Sequence, residues 1–369
     1  MLGHPPLTAL INAIPASVPF VGPETLSLTR GRPFQARLGA NENAFGPSPR
    51  VLAAMTQAIA DNWQYADPTN HDLIAAIASL HRIDPAHVVV GEGIDGLLGL
   101  TVHIAVERGG AVVTSNGAYP TFNFHVTSHG GNLIKIPYVN DRENIAGLLE
   151  AAHAHNAAIV YLSNPDNPMA SWWPASSIER MAQSLPPGCL LCLDEAYIDT
   201  MPKAEHPAIA VDHPQVLRFR TLSKAYGMAG ARIGYAFGPK RLITAFEKVR
   251  NHYGINRVGQ IGALAAIQDQ AYLADVVAKL IQGRDRISTI ARANGLLPLP
   301  SAATFVAIDC GRDGPFAQRV LDGLIARDVF VRKPSIPPLD RCIRVSCGPD
   351  HALDLFAAAL PAALADANA

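Results

Sequence analysis

No stretch of this 369-residue chain approaches the ~18 consecutive apolar residues of a membrane span. The N-terminus, MLGHPPLTALINAIPASVPF, has a short apolar piece but not the basic start of a secretory leader, so the cytoplasm is the expected compartment and no membrane is expected as a partner. Charge of one sign is missing too. The 30 Lys and Arg stand against 31 Asp and Glu, a formal net charge of -1, and no run of like charges makes a local patch. Such a chain has no field for nucleic acid or anionic lipid, and neither is expected to bind. Cysteine is scarce: five residues, an odd number poorly suited to a disulfide framework. Cys189 and Cys192 do form a CxxC, but inside a short apolar run that reads as a buried strand, whereas redox pairs gain their low thiol pKa at helix N-termini. Packing is their expected role. The 13 histidines are scattered without HExxH or paired CxxC spacing, so no metal site is expected.

What is present is a globular composition, 49% hydrophobic and 17% charged, in an ordered alternation. Short apolar runs, HVVVGEG, GAVVTSN, NLIKIPY, AAIVYLSN, CLLCLDEA, VLRFRTLSK and ARIGYAFG, are separated by amphipathic stretches and bounded by Gly, Asn, Ser or Asp. This is the pattern of an α/β fold: a mostly parallel sheet covered by helices on both faces. From about residue 243 the pattern is mainly helical and long enough to join two domains. Short strands (TFVAIDC, VFVRK, CIRVSCG) and an alanine-rich terminal helix follow, a smaller α/β domain. The expected division is an N-terminal arm with part of the small domain (1–44), a large domain (45–260) and a small C-terminal domain (261–369).

Residues 91–96, GEGIDG, match G-x-G-x-x-G after a strand and before a helix, so a nicotinamide enzyme is a live reading. That fingerprint also needs an acidic residue at the end of the next strand, and here the strand AVVTSN ends in Ser115 and Asn116. A glycine loop opening a helix still offers N–H groups and a dipole to a phosphate, or is simply a tight turn.

In LLCLDEAY, Asp194 closes an apolar strand, where its charge needs a cationic partner. A protonated pyridine nitrogen is one such partner; alone, the motif fits magnesium or a turn equally well. The constellation decides between them. Lys224, in TLSKAYGMAGARIGYAFG, stands among small and hydroxylated residues at the end of the next apolar run, with Thr221 and Ser223 before it and Arg232 after it. A lysine with uncharged neighbours is partly desolvated and able to form a Schiff base with an aldehyde, while Arg and hydroxyl groups clamp that aldehyde's phosphate. Together these groups describe pyridoxal 5′-phosphate. The other six lysines lie mid-strand, beside prolines, or in ordinary helical or turn contexts.

LGANENAFGPSP, YADP, GEGIDG, YPTF, NPDNP, LDEAY, TLSKAYGMAGARIGY, VFVRKP and IRVSCG, in this order over most of the chain, resemble the fold type I, class I/II aminotransferases, and most closely their histidinol-phosphate aminotransferase branch. The resemblance implies a large cofactor-binding domain with Lys224 as Schiff-base lysine, Asp194 on the pyridinium, and Tyr197 and Asn167 on the ring's phenolic oxygen. Gly93, Ile94, Ser223, Arg232 and Thr221 would form the phosphate cup. Phe122 would lie against the ring, with Tyr119 as the alternative. Tyr65 would reach the neighbouring subunit's site in a homodimer. Arg344 would hold the substrate's α-carboxylate and Arg332 a second anionic group. The implied activity is amino transfer between small-molecule amino and 2-oxo acid substrates; a decarboxylase or lyase of the same fold is the alternative. Two departures stand out: NPMA replaces the family's usual NPTG, and Phe20 stands where the histidinol-phosphate branch tends to have tyrosine. The second leads to an expected preference for aromatic or apolar α-amino acids over histidinol phosphate.

Overall fold

In the computed structural model, residues 5–16 and 21–369 are described. Twelve strands appear in chain order: β1 (Ala36–Arg37), β2 (Val88–Gly91), β3 (Ala111–Ser115), β4 (Asn132–Ile136), β5 (Ile159–Ser163), β6 (Leu190–Asp194), β7 (Val216–Thr221), β8 (Gly234–Phe237), β9 (Leu297–Pro298), β10 (Phe305–Asp309), β11 (Val329–Phe330) and β12 (Cys342–Ser346). Strands β2 to β8 are the seven apolar runs of the sequence. They form one sheet in the order β2-β8-β7-β6-β5-β3-β4.

Only β8 runs against the rest. The links β2 to β3, β3 to β4, β4 to β5 and β5 to β6 each carry an α-helix that crosses a sheet face and restores the strand direction. The β7–β8 link, residues 222–233, holds only a three-residue 3-10 turn and returns along the same edge. The segment bearing Lys224 therefore lies at the C-terminal end of the sheet, between two antiparallel neighbours.

Period-2 alternation separates the two faces. Ile159, Tyr161, Leu190 and Cys192 join one apolar layer with Leu97 and Phe122, while Val160, Leu162, Leu191 and Leu193 join the opposite layer with Leu148 and Ile178. Cys189 belongs to the second layer and Cys192 to the first, so the CxxC spacing sends its two thiols to opposite faces. All five cysteines are free and buried. At the sheet edge β4 is partly exposed, whereas β5 and β6 in the middle are buried at every position.

The C-terminal region holds an antiparallel sheet, β12-β10-β9, packed on the helices Gln270–Ala293 and Gly314–Ala326, while β11 pairs in parallel with β1 from the N-terminal segment against the helix Asp350–Asn368. The helix Gln270–Ala293, capped by the Asp269 carboxylate on Tyr272 N, runs between the two bodies. The expected boundary at 260/261 falls inside the helix Arg257–Gln268, which packs on the helices Pro49–Ala58 and His71–His81 of the large body. No helix among the described residues is long and apolar enough to cross a membrane.

Candidate active site

Because β5, β6 and β7 are adjacent and parallel, their C-terminal ends open at one edge: Ser163 lies opposite Asp194, and Asp194 opposite Phe219, two residues before Thr221. There a cavity of about 250 Å³ is bounded by Asp194, Lys224, Tyr197, Tyr119, Ser223 and Arg232, among others. Lys224 and Asp194, 30 residues apart in sequence (224 − 194), thus share one chamber.

Asp194 is buried, and among the described residues no basic side chain is in hydrogen-bond contact with it. Its Oδ2 accepts from Tyr161 Oη at 2.7 Å and its Oδ1 from Ala196 N at 2.9 Å. Burial pushes its carboxyl up to about 6, against the pull of the Tyr161 hydroxyl and the Ala196 N–H. Lys224 Nζ donates to the Asn41 carbonyl at 3.2 Å and stands 5.6 Å from the centre of the Tyr197 ring. Burial, with Arg344 adding its positive charge, brings the ammonium down to about 8. Tyr197 Oη accepts from Asn41 Nδ2 at 2.9 Å, and burial holds its hydroxyl well above the usual phenol range.

Beside these groups the helix Gly93–Ala105 begins without a side-chain cap, and Ile94 and Asp95 of its first turn line the cavity, so the positive end of the helix dipole is at the cavity wall. Gly93 has φ +76°, and a Cβ there would lie 2.7 Å from Arg232 Nη2. The Arg232 guanidinium faces Asp95 Oδ2 at 3.7 Å, and Ser223 N donates to Thr221 Oγ1 at 3.0 Å. Glycine, helix terminus, hydroxyls and guanidinium together make an anion cradle. An anion cradle, a buried carboxylate in want of a cation and a desolvated lysine fit pyridoxal phosphate.

The structure brings together Ile94, Asn167, Asp194, Tyr197, Thr221, Ser223, Lys224 and Arg232 on the cavity wall, with Gly93 just behind Arg232. Arg344 and Arg332 line an adjoining cavity of about 260 Å³ together with Lys333, and Asn167 borders both cavities. Arg332 Nη2 donates to the Val21 carbonyl at 2.9 Å. Arg344 Nη1 donates to Asn167 Oδ1 at 2.5 Å, while its Nε is buried without an acceptor and burial lowers the guanidinium to about 10. Asn167 thus gives its amide oxygen to Arg344, and the expected contact with the ring oxygen would use the other, Nδ2, end of that amide. Phe122 is a correction: it is fully buried, stacked on Tyr161 at 4.5 Å, because it faces inward from its helix. Tyr119, the alternative, lines the cavity and donates to Asp95 Oδ1 at 2.7 Å. Tyr65 lies outside this chain's cavity, 77% exposed, against Tyr253. Phe20 lies outside the described residues.

Glu195 resolves the magnesium alternative for DEAY. Its carboxylate takes Arg218 Nη2 at 2.6 Å and Arg220 Nε at 2.9 Å, so both oxygens already hold guanidinium groups. Met169 and Ala170, in place of the usual Thr-Gly, are buried in side clusters, Ala170 with a left-handed backbone at φ +62°. Sequence reasoning missed Tyr161 and Asn41. Tyr161 and Asp194 are diagonal neighbours on one face of β5 and β6, a relation visible only once the strand order is known. Asn41 stands in LGANENAFG, a stretch the sequence marked without assigning a role.

The aminotransferase class I and II family matches residues 35–360. A histidinol-phosphate aminotransferase from an Anaeromyxobacter species is 31% identical over 332 residues, covering 85% of this chain and 91% of that protein. The crystal structure of histidinol-phosphate aminotransferase from Sinorhizobium meliloti in complex with pyridoxal-5'-phosphate is 51% identical, covers 99% of each chain and superposes with a TM-score of 0.96. An aspartate aminotransferase structure from Rhizobium meliloti, 20% identical over 99% of this chain and 100% of that one, shares the fold with a TM-score of 0.81.

Proposed function

This chain belongs to the class I and II aminotransferase family, and from that premise we propose how its residues divide the work of a pyridoxal phosphate-dependent aminotransferase. The decarboxylase or lyase alternative is not favoured by these relatives. The observation that carries the reading is the meeting of Lys224 and Asp194 in one cavity beside an anion cradle.

Gly93, Ile94, Thr221, Ser223 and Arg232 would hold the cofactor's phosphate, Asp194 its ring nitrogen, Tyr197 its phenolic oxygen and Tyr119 its face. Bound there, the cofactor supplies an electron sink for the charge left at the substrate's α-carbon. Lys224 Nζ takes the proton from that carbon. An ammonium brought down to about 8 leaves a useful fraction of neutral amine near neutral pH, and the amine stays in place on the Asn41 carbonyl. Arg344 lines the adjoining cavity and would present its guanidinium to a substrate carboxylate, and Arg332 and Lys333 add positive charge for a second anionic group. Amino donors carrying a carboxylate or a phosphate, and 2-oxo acids, both suit that wall. The expected preference for apolar amino acids rests on Phe20, outside the described residues.

Tyr65 is offered to a second copy of the chain. It stands on the surface with Trp63, 83% exposed, and Ile59, 62% exposed, an apolar patch suited to burial in a homodimer. The domain division, moved from 260/261 to the break at Asp269, is part of the same reading.

Lys224→Ala is expected to abolish amino transfer. In the wild-type protein, borohydride reduction with pyridoxal phosphate followed by peptide mapping is expected to place the pyridoxyl group on Lys224; attachment at another lysine would sink the assignment.

A further inference from the structure

Two buried acids take no part in the chemistry above. Glu143 precedes the helix Ile145–Ala154 and Asp166 stands in NPDNP; they are 1% and 2% exposed, Glu143 takes Ser163 N three residues before Asp166, and burial, with the neighbouring Asp166 charge, holds the Glu143 carboxyl well above its usual range. Every other partner is neutral. Ser115 Oγ (2.7 Å) and Ser163 N (2.9 Å) donate to Glu143, and Tyr138 Oη (2.8 Å) and Met169 N (3.0 Å) donate to Asp166. Among the described residues no lysine, arginine or histidine side chain donates to either carboxyl. Two neighbouring carboxylates in a water-excluded place, with no cation in contact, do not both ionise.

Arg344 lies beside this pair. Asp166 acts on it electrostatically, and Asn167, the next residue, accepts from its Nη1. Among the described residues Arg344 has no salt-bridge partner, although it is a desolvated cation. We propose that Glu143 and Asp166 share one proton and that the single negative charge left on the pair is the built-in counter-ion of Arg344, setting how tightly the site holds a substrate carboxylate. The role rests on reading Arg344 as the carboxylate's partner.

The count of one charge matters for a site that must bind and release carboxylates in every turnover. A carboxylate in direct contact with Arg344 would occupy its donors. Two charges on the pair would repel the incoming substrate, and none would leave the guanidinium uncompensated and slow to release the oxo-acid product. One charge just out of contact compensates Arg344 and leaves its guanidinium to the ligand.

The test uses the holoenzyme. Asp166→Asn removes the charge facing Arg344 and is expected to lower KM for an α-amino acid donor roughly three- to tenfold without raising kcat. Simple damage to the loop would raise KM. Glu143→Gln retains a donor toward Asp166 and is expected to leave that KM within about twofold. It should also remove a protonated-carboxyl C=O band from the infrared spectrum of the ligand-free protein at neutral pH. That band still decides the shared proton if Asp166→Asn fails to fold. An unchanged or raised KM in Asp166→Asn, or no carboxyl band lost in Glu143→Gln, overturns the proposal. Arg344→Gln separates the two readings. If it leaves the donor's KM unaltered, the assignment of Arg344 falls and takes the counter-ion with it. A raised KM there beside an unchanged one in Asp166→Asn overturns the counter-ion alone.

Discussion

Replacing Tyr161 with Phe removes one oxygen and keeps the ring against Phe122, with which it stacks at 4.5 Å and 17°. The loss is the donor at 2.7 Å to Asp194 Oδ2, which leaves the Ala196 N–H as that carboxylate's remaining hydrogen bond. A hydrogen bond to a charged group contributes about 1.5–3 kcal/mol, and one pKa unit corresponds to about 1.4 kcal/mol. The Asp194 carboxyl, at about 6, is therefore expected to rise by about one to two units in the variant. Asp194 must be ionised to hold a protonated ring nitrogen, so the affinity of apo-protein for pyridoxal phosphate falls as pH drops through the Asp194 value. Fluorescence titration across the neutral range should find that break near 6 in the wild type and about one to two units higher in Tyr161→Phe. Stability of the apo-protein moves with it. The folded value lies above the ordinary 3.8, so the folded chain takes up a proton; this contribution is complete below 3.8 and is lost as pH rises through about 6. In the variant the loss extends to higher pH, which urea unfolding at a series of pH values measures. A binding break that stays near the wild-type position would refute the coupling of Tyr161 to Asp194.

Asp194→Asn should fold normally and slow deuterium exchange at the substrate's α-carbon by several orders of magnitude; exchange within a few-fold of wild type would show Asp194 to be misplaced. Gly93→Ala puts a side chain into a left-handed backbone and against Arg232, and is expected to destabilise the fold by about 1–2 kcal/mol and weaken cofactor affinity, read by denaturant unfolding and cofactor titration. Glu195→Gln leaves Arg218 and Arg220 buried without their anion; a loss of about 3–5 kcal/mol in thermal unfolding is expected, whereas a change under about 1 kcal/mol would mean that water compensates the two guanidinium groups.

The elements of this protein were legible from short-range pattern. Each of the seven apolar runs became a strand of the large sheet, and the three C-terminal runs became β10, β11 and β12, because burial on two faces selects continuous apolar stretches and helices select amphipathic ones. Lys224, Asp194, Ser223 and Arg232 were legible for a related reason: each is a polar residue in an uncharged or apolar setting at the boundary of a run, where its presence needs a partner. The pairing order of the strands was not legible. It places β6 beside β5, and so Tyr161 on Asp194, and it turns Phe122 into the core while Tyr119 faces the cavity. It also gives Glu195 to two arginines. Asn41 reaches Lys224 and Tyr197 only because the N-terminal segment returns across the site to pair β1 with β11. Local composition decides which residues are apolar, charged or hydroxylated and how they alternate. Contacts between residues more than a hundred positions apart, such as Asn41 with Tyr197 or Arg344 with Asn167, depend on chain crossovers and sheet order, which no local window contains.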